Sequence, residues 1–182
     1  MKRCCVLILI LLVSCAPWMK VGGVYKNTKE QYSVDLPQDW MKFNSNEQLL
    51  VSRDGPLLQN IIVERVDINE ELEHTKKKLQ KSMLPQEASE VIIDNISSDS
   101  EVLNFNIIEN IPITIDLYPG FKIFFTYNNK DGLNFRSIYC GFLSGDWLYT
   151  IKYTAADRHY FQNDVAEFEH VLNSFRLLSE GK

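Results

Sequence analysis

The chain has 182 residues, of which 45% are hydrophobic and 12% aromatic, enough to build a core without disulfide or metal staples. Its 19 basic side chains are outnumbered by 24 acidic ones, for a net charge of −5, a balance that argues against nucleic acid or an anionic lipid surface as partner. His74, His159 and His170 do not stand at ligand spacing, so no metal or other cofactor is expected.

Met1-Lys2-Arg3 makes a positive start, and Val6 to Val13 (VLILILLV) is an unbroken apolar run. That run is too short for a membrane-spanning helix, which needs about 20 residues. Residues 1–14 therefore read as a cleaved signal peptide. Leu12-Val13-Ser14-Cys15 resembles the box of bacterial lipoproteins, in which the cysteine sulfur takes a diacylglycerol, the chain is cut before it, and the new amine is acylated. The resemblance implies lipid attachment at Cys15, and two or three acyl chains anchor stably where one does not. Ala16, in place of an aspartate after the cysteine, implies sorting to the outer membrane, facing the periplasm.

Cleavage would leave 168 residues with 17 basic and 24 acidic side chains. Cys140 would then be the lone free thiol, unable to form an internal disulfide. Residues 15–23 read as a lipid-anchored tether, and 24–178 as one domain.

The predicted elements follow in chain order. Gln31 to Pro37 (QYSVDLP) alternates Tyr32, Val34 and Leu36 against polar neighbours, the pattern of a half-buried strand. A short extended piece at Met41–Phe43 comes next, then QLLVSRDG and LLQNIIVERVD as paired strands around Asp54-Gly55. Asp67 to Leu84 carries Leu72, Leu79 and Met83 at helical spacing, with Asp67 as cap and Pro85 as stop. Residues 86–100 are polar and give no clear pattern. Val102–Asp116, Phe121–Tyr127, Leu133–Leu143 and Trp147–Thr154 read as strands, the last three joined by hairpins at NNKDG and SGD into an antiparallel meander. Asp157 to Phe175 sets Phe161, Val165, Phe168, Leu172 and Phe175 in one apolar helical stripe.

Pairing Tyr127 with Leu133 and Leu143 with Trp147 puts all odd-numbered meander residues on one face, an aromatic surface expected beneath the C-terminal helix. The even face is mixed, with Lys122, Ile138 and Lys152 in one row and Phe124 opposite Arg136. An apolar centre edged by cations suits an acidic protein segment or a small anionic ligand. Lys122, Phe124, Arg136, Ile138 and Lys152 are therefore the candidate partner or ligand surface. The plainer alternative is a face partly covered by the 67–84 helix, with the cations snorkelling at its rim. Cys140 sits at the apolar end of this face, the place of an inert buried thiol.

YSVDLPQDW, YPGFKIFFTY, GLNFRSIYCGFLSGDWLYTIKYTA and YFQNDVAEFEHVLNSFRL resemble the successive blocks of the PsbP-like family. This family includes an extrinsic subunit of photosystem II, a small nuclear Ran-binding protein and many bacterial lipoproteins. The likeness runs from Tyr32 to Leu177 and is most distinctive at Tyr160-Phe161, Asp164, Phe168, Val171 and Ser174-Phe175. It implies an α+β fold, an antiparallel sheet with helices packed on both faces in an α/β/α sandwich. Such proteins act mostly as binding or assembly modules, and the matching positions carry fold rather than a site.

Catalytic motifs are missing from the sequence. No G-x-S-x-G elbow, G-x-x-x-x-G-K-[ST] loop or G-x-G-x-x-G turn occurs, which removes the usual frames of a serine hydrolase or a nucleotide enzyme. Arg158-His159 beside Asp157 is explained by a helix N-terminus. The expected function is that of a membrane-anchored, non-catalytic module docking an envelope protein. The alternative is a carrier of a small anionic or lipidic ligand held between sheet and helix, which requires a cavity of hundreds of cubic ångströms.

Overall fold

The computed structural model describes residues 17–44 and 48–178, so Cys15 and the signal segment lie outside the described residues. In chain order the elements are β1 (Trp18–Lys20), β2 (Gly23–Asn27), β3 (Tyr32–Leu36), β4 (Met41–Phe43), β5 (Leu49–Ser52) and β6 (Gln59–Asp67), then α1 (Pro85–Ser97). After it come β7 (Leu103–Ile115), β8 (Tyr118–Asn128), β9 (Asn134–Ser144), β10 (Trp147–Ala156), α2 (Tyr160–Ser174) and β11 (Arg176–Leu177). Eight strands form an antiparallel sheet in the order β1-β4-β5-β6-β10-β9-β8-β7, and β11-β3-β2 form a smaller one. Residues 18–20, read as tether, are thus already strand, and Pro17 is fixed too, its carbonyl accepting from the Asn44 N–H at 2.8 Å.

One face of the large sheet is covered by α2 and the small sheet together. There Ile61, Val63, Ile138, Cys140, Phe142, Tyr149, Ile151 and Tyr153 pack on Tyr32, Val34, Phe161, Phe168, Val171 and Phe175. The α2 stripe read from the sequence is the stripe that docks. Its start is held by the Tyr153 hydroxyl, which donates to the Phe161 carbonyl at 3.2 Å. Its end is held by the Ser174 hydroxyl, which accepts from the Asp35 N–H at 2.8 Å. On the other face, α1 and the segment before it pack Ile68, Leu79, Ala88 and Ile92 against Phe121, Ile123, Phe125, Tyr139 and Leu148. The sandwich has helices on both faces, as expected, and α2 covers the odd-numbered residues of β10, but on β8 and β9 it covers the even-numbered residues, while the odd ones face α1.

A turn explains the exchange. β9 and β10 close through the two residues Gly145 and Asp146, so Ser144 rather than Leu143 opposes Trp147. Gly145 has φ +61°, the conformation that a tight hairpin asks of its first turn residue. Because side chains alternate, shortening the loop by one residue moves every β10 side chain to the opposite face. The β8–β9 register differs too, with Tyr127 opposite Phe135, but a two-residue slip preserves the faces.

The 67–84 helix is not formed. Asp67 caps a turn instead, its carboxylate accepting from the Asn69 N–H at 2.8 Å. Lys76 stands at φ +59°, a left-handed backbone that no α-helix contains. Leu79 is still buried, so the apolar spacing reflected packing on the sheet without helical geometry. Pro85 opens α1 rather than ending a helix before it. The first helical position has no use for an N–H and suits proline's fixed φ, while the Glu87 carboxylate accepts from the Leu84 N–H at 2.8 Å. The sheet ends at β7, a long outer strand with register shifts at Leu103/Asn106 and Ile107/Glu109 and with exposed Ile107, Ile108 and Ile111.

Candidate functional site

The five residues proposed as one surface are not brought together. In the observed register Lys122, Phe124, Arg136 and Ile138 lie on the α2 face, and Lys152 lies on the α1 face. The rows are Lys122–Cys140–Ile151 and Phe124–Ile138–Tyr153, not the expected Lys122–Ile138–Lys152. Ile138 is buried, and Phe124 stacks on Phe161 of α2 with ring centroids 5.5 Å apart. Lys122 pairs with Glu109 at 2.7 Å, and Arg136 with Asp157. These cations close a covered face at its rim. Cys140 is fully buried beneath α2, and burial pushes its thiol up to about 12.

The turn that moved Lys152 builds a different site. The even-numbered residues of β10 now rise on the α1 face, where they place Thr150, Lys152 and Thr154 among aromatic side chains of β8 and β9. A cleft of about 460 Å³ opens there between the sheet, α1 and the segment 70–74. Its floor holds Glu64, Ser137, Tyr139, Lys152 and Thr154. Phe125, Leu148, Ile92 and Ile96 give it apolar walls, and Glu70, Glu71, Glu73 and Asp99 stand around its mouth. A depression at Lys77–Val91 is comparable in volume but lined mostly by exposed side chains.

The floor is a hydrogen-bonded surface inside an apolar frame. The Thr150 hydroxyl donates to Glu64 at 3.3 Å and bonds the Tyr139 phenol, whose pKa burial raises. The Ser137 hydroxyl donates to the Tyr153 carbonyl at 3.0 Å and shares a 2.8 Å hydrogen bond with Thr154. Lys152 is the exception: among the described residues it makes no ion pair or hydrogen bond. A half-buried lysine without a partner beside apolar walls is a point of attachment for an acceptor group. The wall opposite is fixed by Asn95, whose side-chain carbonyl accepts from the His74 N–H at 3.0 Å.

His74 faces Asp99 at 3.6 Å and Glu73 at 4.0 Å. Among the described residues no three metal-ligating side chains converge. The cleft thus combines one lysine, several hydroxyls and the Glu64 carboxylate on its floor with an apolar wall and a mouth edged by four carboxylates and His74. No sequence signal marked it, because Thr150, Lys152 and Thr154 read as part of a mixed face until the turn length was known.

A family model described as PsbP matches residues 23–177. Among solved structures, the chain is similar to cyanobacterial PsbP (CyanoP) from Synechocystis sp. PCC 6803, with TM-score 0.59 and 15% identity over 91% of this chain and 95% of that one. It is similar to the Ran-binding protein Mog1p of Saccharomyces cerevisiae, with TM-score 0.59 and 9% identity over 88% of this chain and 97% of that one. LpqN of Mycobacterium tuberculosis, described as involved in cell envelope biogenesis, matches with TM-score 0.54 and 10% identity over 88% and 90%. A comparison with curated proteins found no match. No helix among the described residues is long and apolar enough to cross a membrane.

Proposed function

The chain belongs to the PsbP family, and from that premise we propose that it is a non-catalytic binding module held at a membrane of the cell envelope, outside the cytoplasm, by a lipid on Cys15. Its binding site is the cleft between α1 and the sheet, and the occupant is a small amphipathic molecule. An acceptor or anionic group on that molecule meets Lys152, and its apolar body lies along Ile92, Ile96 and Leu148. The observation that carries this reading is the unpartnered Lys152 on the floor of a 460 Å³ cleft. The envelope role assigned to LpqN supports the location.

Docking of an envelope protein is the second reading, and the exposed Ile107, Ile108 and Ile111 on the outer strand favour it. The Ran-binding protein Mog1p is a relative by fold whose name states a protein partner.

Native mass spectrometry of the full chain, extracted gently from its own membranes, separates the two. The cleft reading expects an added mass on the order of a few hundred daltons, the size such a cleft encloses, beyond any lipid on Cys15. Lys152→Met should lose it while keeping the wild-type circular dichroism. A co-eluting protein with an empty cleft would give the second reading instead.

A further inference from the structure

We propose that the edge formed by β1 and β2 is a bilayer-docking surface whose partner is the headgroup region of the membrane. This inference rests on acylation of Cys15. The fold begins at Pro17, pinned to Asn44, so only Ala16 separates the lipid-bearing residue from it. Two residues reach at most about 7 Å, which leaves no room for the domain to float away from its anchor. The edge nearest residue 17 must lie at headgroup level.

That edge has the composition the position asks for. β1 is the outer strand of the large sheet and β2 the outer strand of the small one, joined directly through Val21-Gly22. Met19 is 51% exposed and Val24 72% exposed. Trp18 packs against Phe43 with centroids 5.1 Å apart, and Lys42 lies 5.5 Å over the Tyr25 ring. Tryptophan and tyrosine, apolar in body and polar at one end, are the side chains that settle at a membrane interface.

Charge is segregated in the same sense. Residues 17–43 hold four lysines and three carboxylates, whereas residues 44–182 hold 13 basic and 21 acidic side chains. The overall acidity therefore conceals an N-terminal segment, the one that supplies this edge, that is not acidic. Its carboxylates are engaged: Glu30 with Arg65 at 2.9 Å, Asp35 with His170 at 3.0 Å, Asp39 with Lys20 at 2.5 Å. Lys26 and Lys42 pair with no carboxylate among the described residues and are available to lipid phosphates.

The test is tryptophan quenching in the acylated full chain, reconstituted in vesicles of equal parts phosphatidylglycerol and brominated phosphatidylcholine. Trp40 is buried and Trp147 is stacked under Arg65, so the signal quenched by bromine should be that of Trp18 and should vanish in Trp18→Phe. The double variant Lys26→Glu/Lys42→Glu should stay anchored but lose that quenching. An acylated, vesicle-bound protein whose Trp18 is not quenched would overturn the docking surface alone. Equal quenching in the double variant would overturn the role of the two lysines. An N-terminal peptide without acyl mass would overturn the anchor reading, and this inference with it.

Discussion

Asp164 on α2 has no side-chain exposure, yet it carries a carboxylate held by Arg53 at 2.7 Å and by the Gln59 amide at 2.5 Å. Replacing it by alanine removes the acceptor from Gln59, itself fully buried, and an unsatisfied buried amide costs about 1–3 kcal/mol. The Arg53 contact adds less than about 1 kcal/mol, because its guanidinium is 41% exposed. The expected loss for Asp164→Ala is then about 1–4 kcal/mol, a fall in Tm of roughly 2–16 °C for a domain of this size. Asp164→Asn keeps an acceptor for Gln59 and should lie within about 1 kcal/mol of wild type.

The pH dependence gives a second readout of the same carboxylate. Burial raises the Asp164 pKa above 3.8, with Arg53 opposing it. The folded state thus binds the proton more tightly than the unfolded one, and stability is lost as pH rises through the folded value. Urea denaturation at a series of pH values should show wild type gaining on Asp164→Asn as the pH falls from neutral toward 3.8. A difference between the two that does not change with pH, or an alanine variant no worse than the asparagine one, would refute the reasoning.

Ile138→Ala should destabilise by about 2–4 kcal/mol, as for a buried aliphatic truncation, measured by urea unfolding; a neutral result would mean the even face of β9 is open. Cys140 should resist iodoacetamide at mildly alkaline pH in the folded protein and react fully in urea, since its thiol is buried and pushed up to about 12. Lys76→Gly should stabilise by a few tenths to about 1 kcal/mol, because φ +59° suits glycine better than lysine, and differential scanning calorimetry would show it as a raised Tm. Lys152→Met should leave the unfolding free energy within about 1 kcal/mol of wild type while abolishing ligand mass in native spectra.

What could be read from sequence is what a single element fixes by itself. The α2 stripe of Phe161, Phe168 and Phe175 needs only its own spacing, and β3 only the alternation of Tyr32, Val34 and Leu36. What could not be read depended on one residue of loop or on one proline with two meanings. Three residues, Ser144-Gly145-Asp146, were available to close the last hairpin, and the chain uses two; the odd/even partition of β10 depends on that choice. Pro85 is as good a first helical residue as a stop signal, and the polar stretch after it hid Ala88, Ile92 and Ile96 on one side of a helix. The cleft inherits both ambiguities, since its floor comes from β10 and its wall from α1. Its site residues were in plain view, but not their common face.

β7 closes the opposite end of the sheet from β1, seven strand steps away, or about 33 Å. Docked as proposed above, the domain would stand upright on its β1 edge, with β7 uppermost. Molecules anchored in one leaflet then share an orientation, and lateral collisions bring their flanks together rather than their crests. Tethering in a plane raises local concentration, the condition under which an open strand with exposed isoleucines is most prone to pair with its like. Standing upright turns that strand away from neighbours of its own kind, and the bulges at Leu103/Asn106 and Ile107/Glu109 bend it further out of register for them. In that proposed orientation the crest would be open to something approaching from across the compartment.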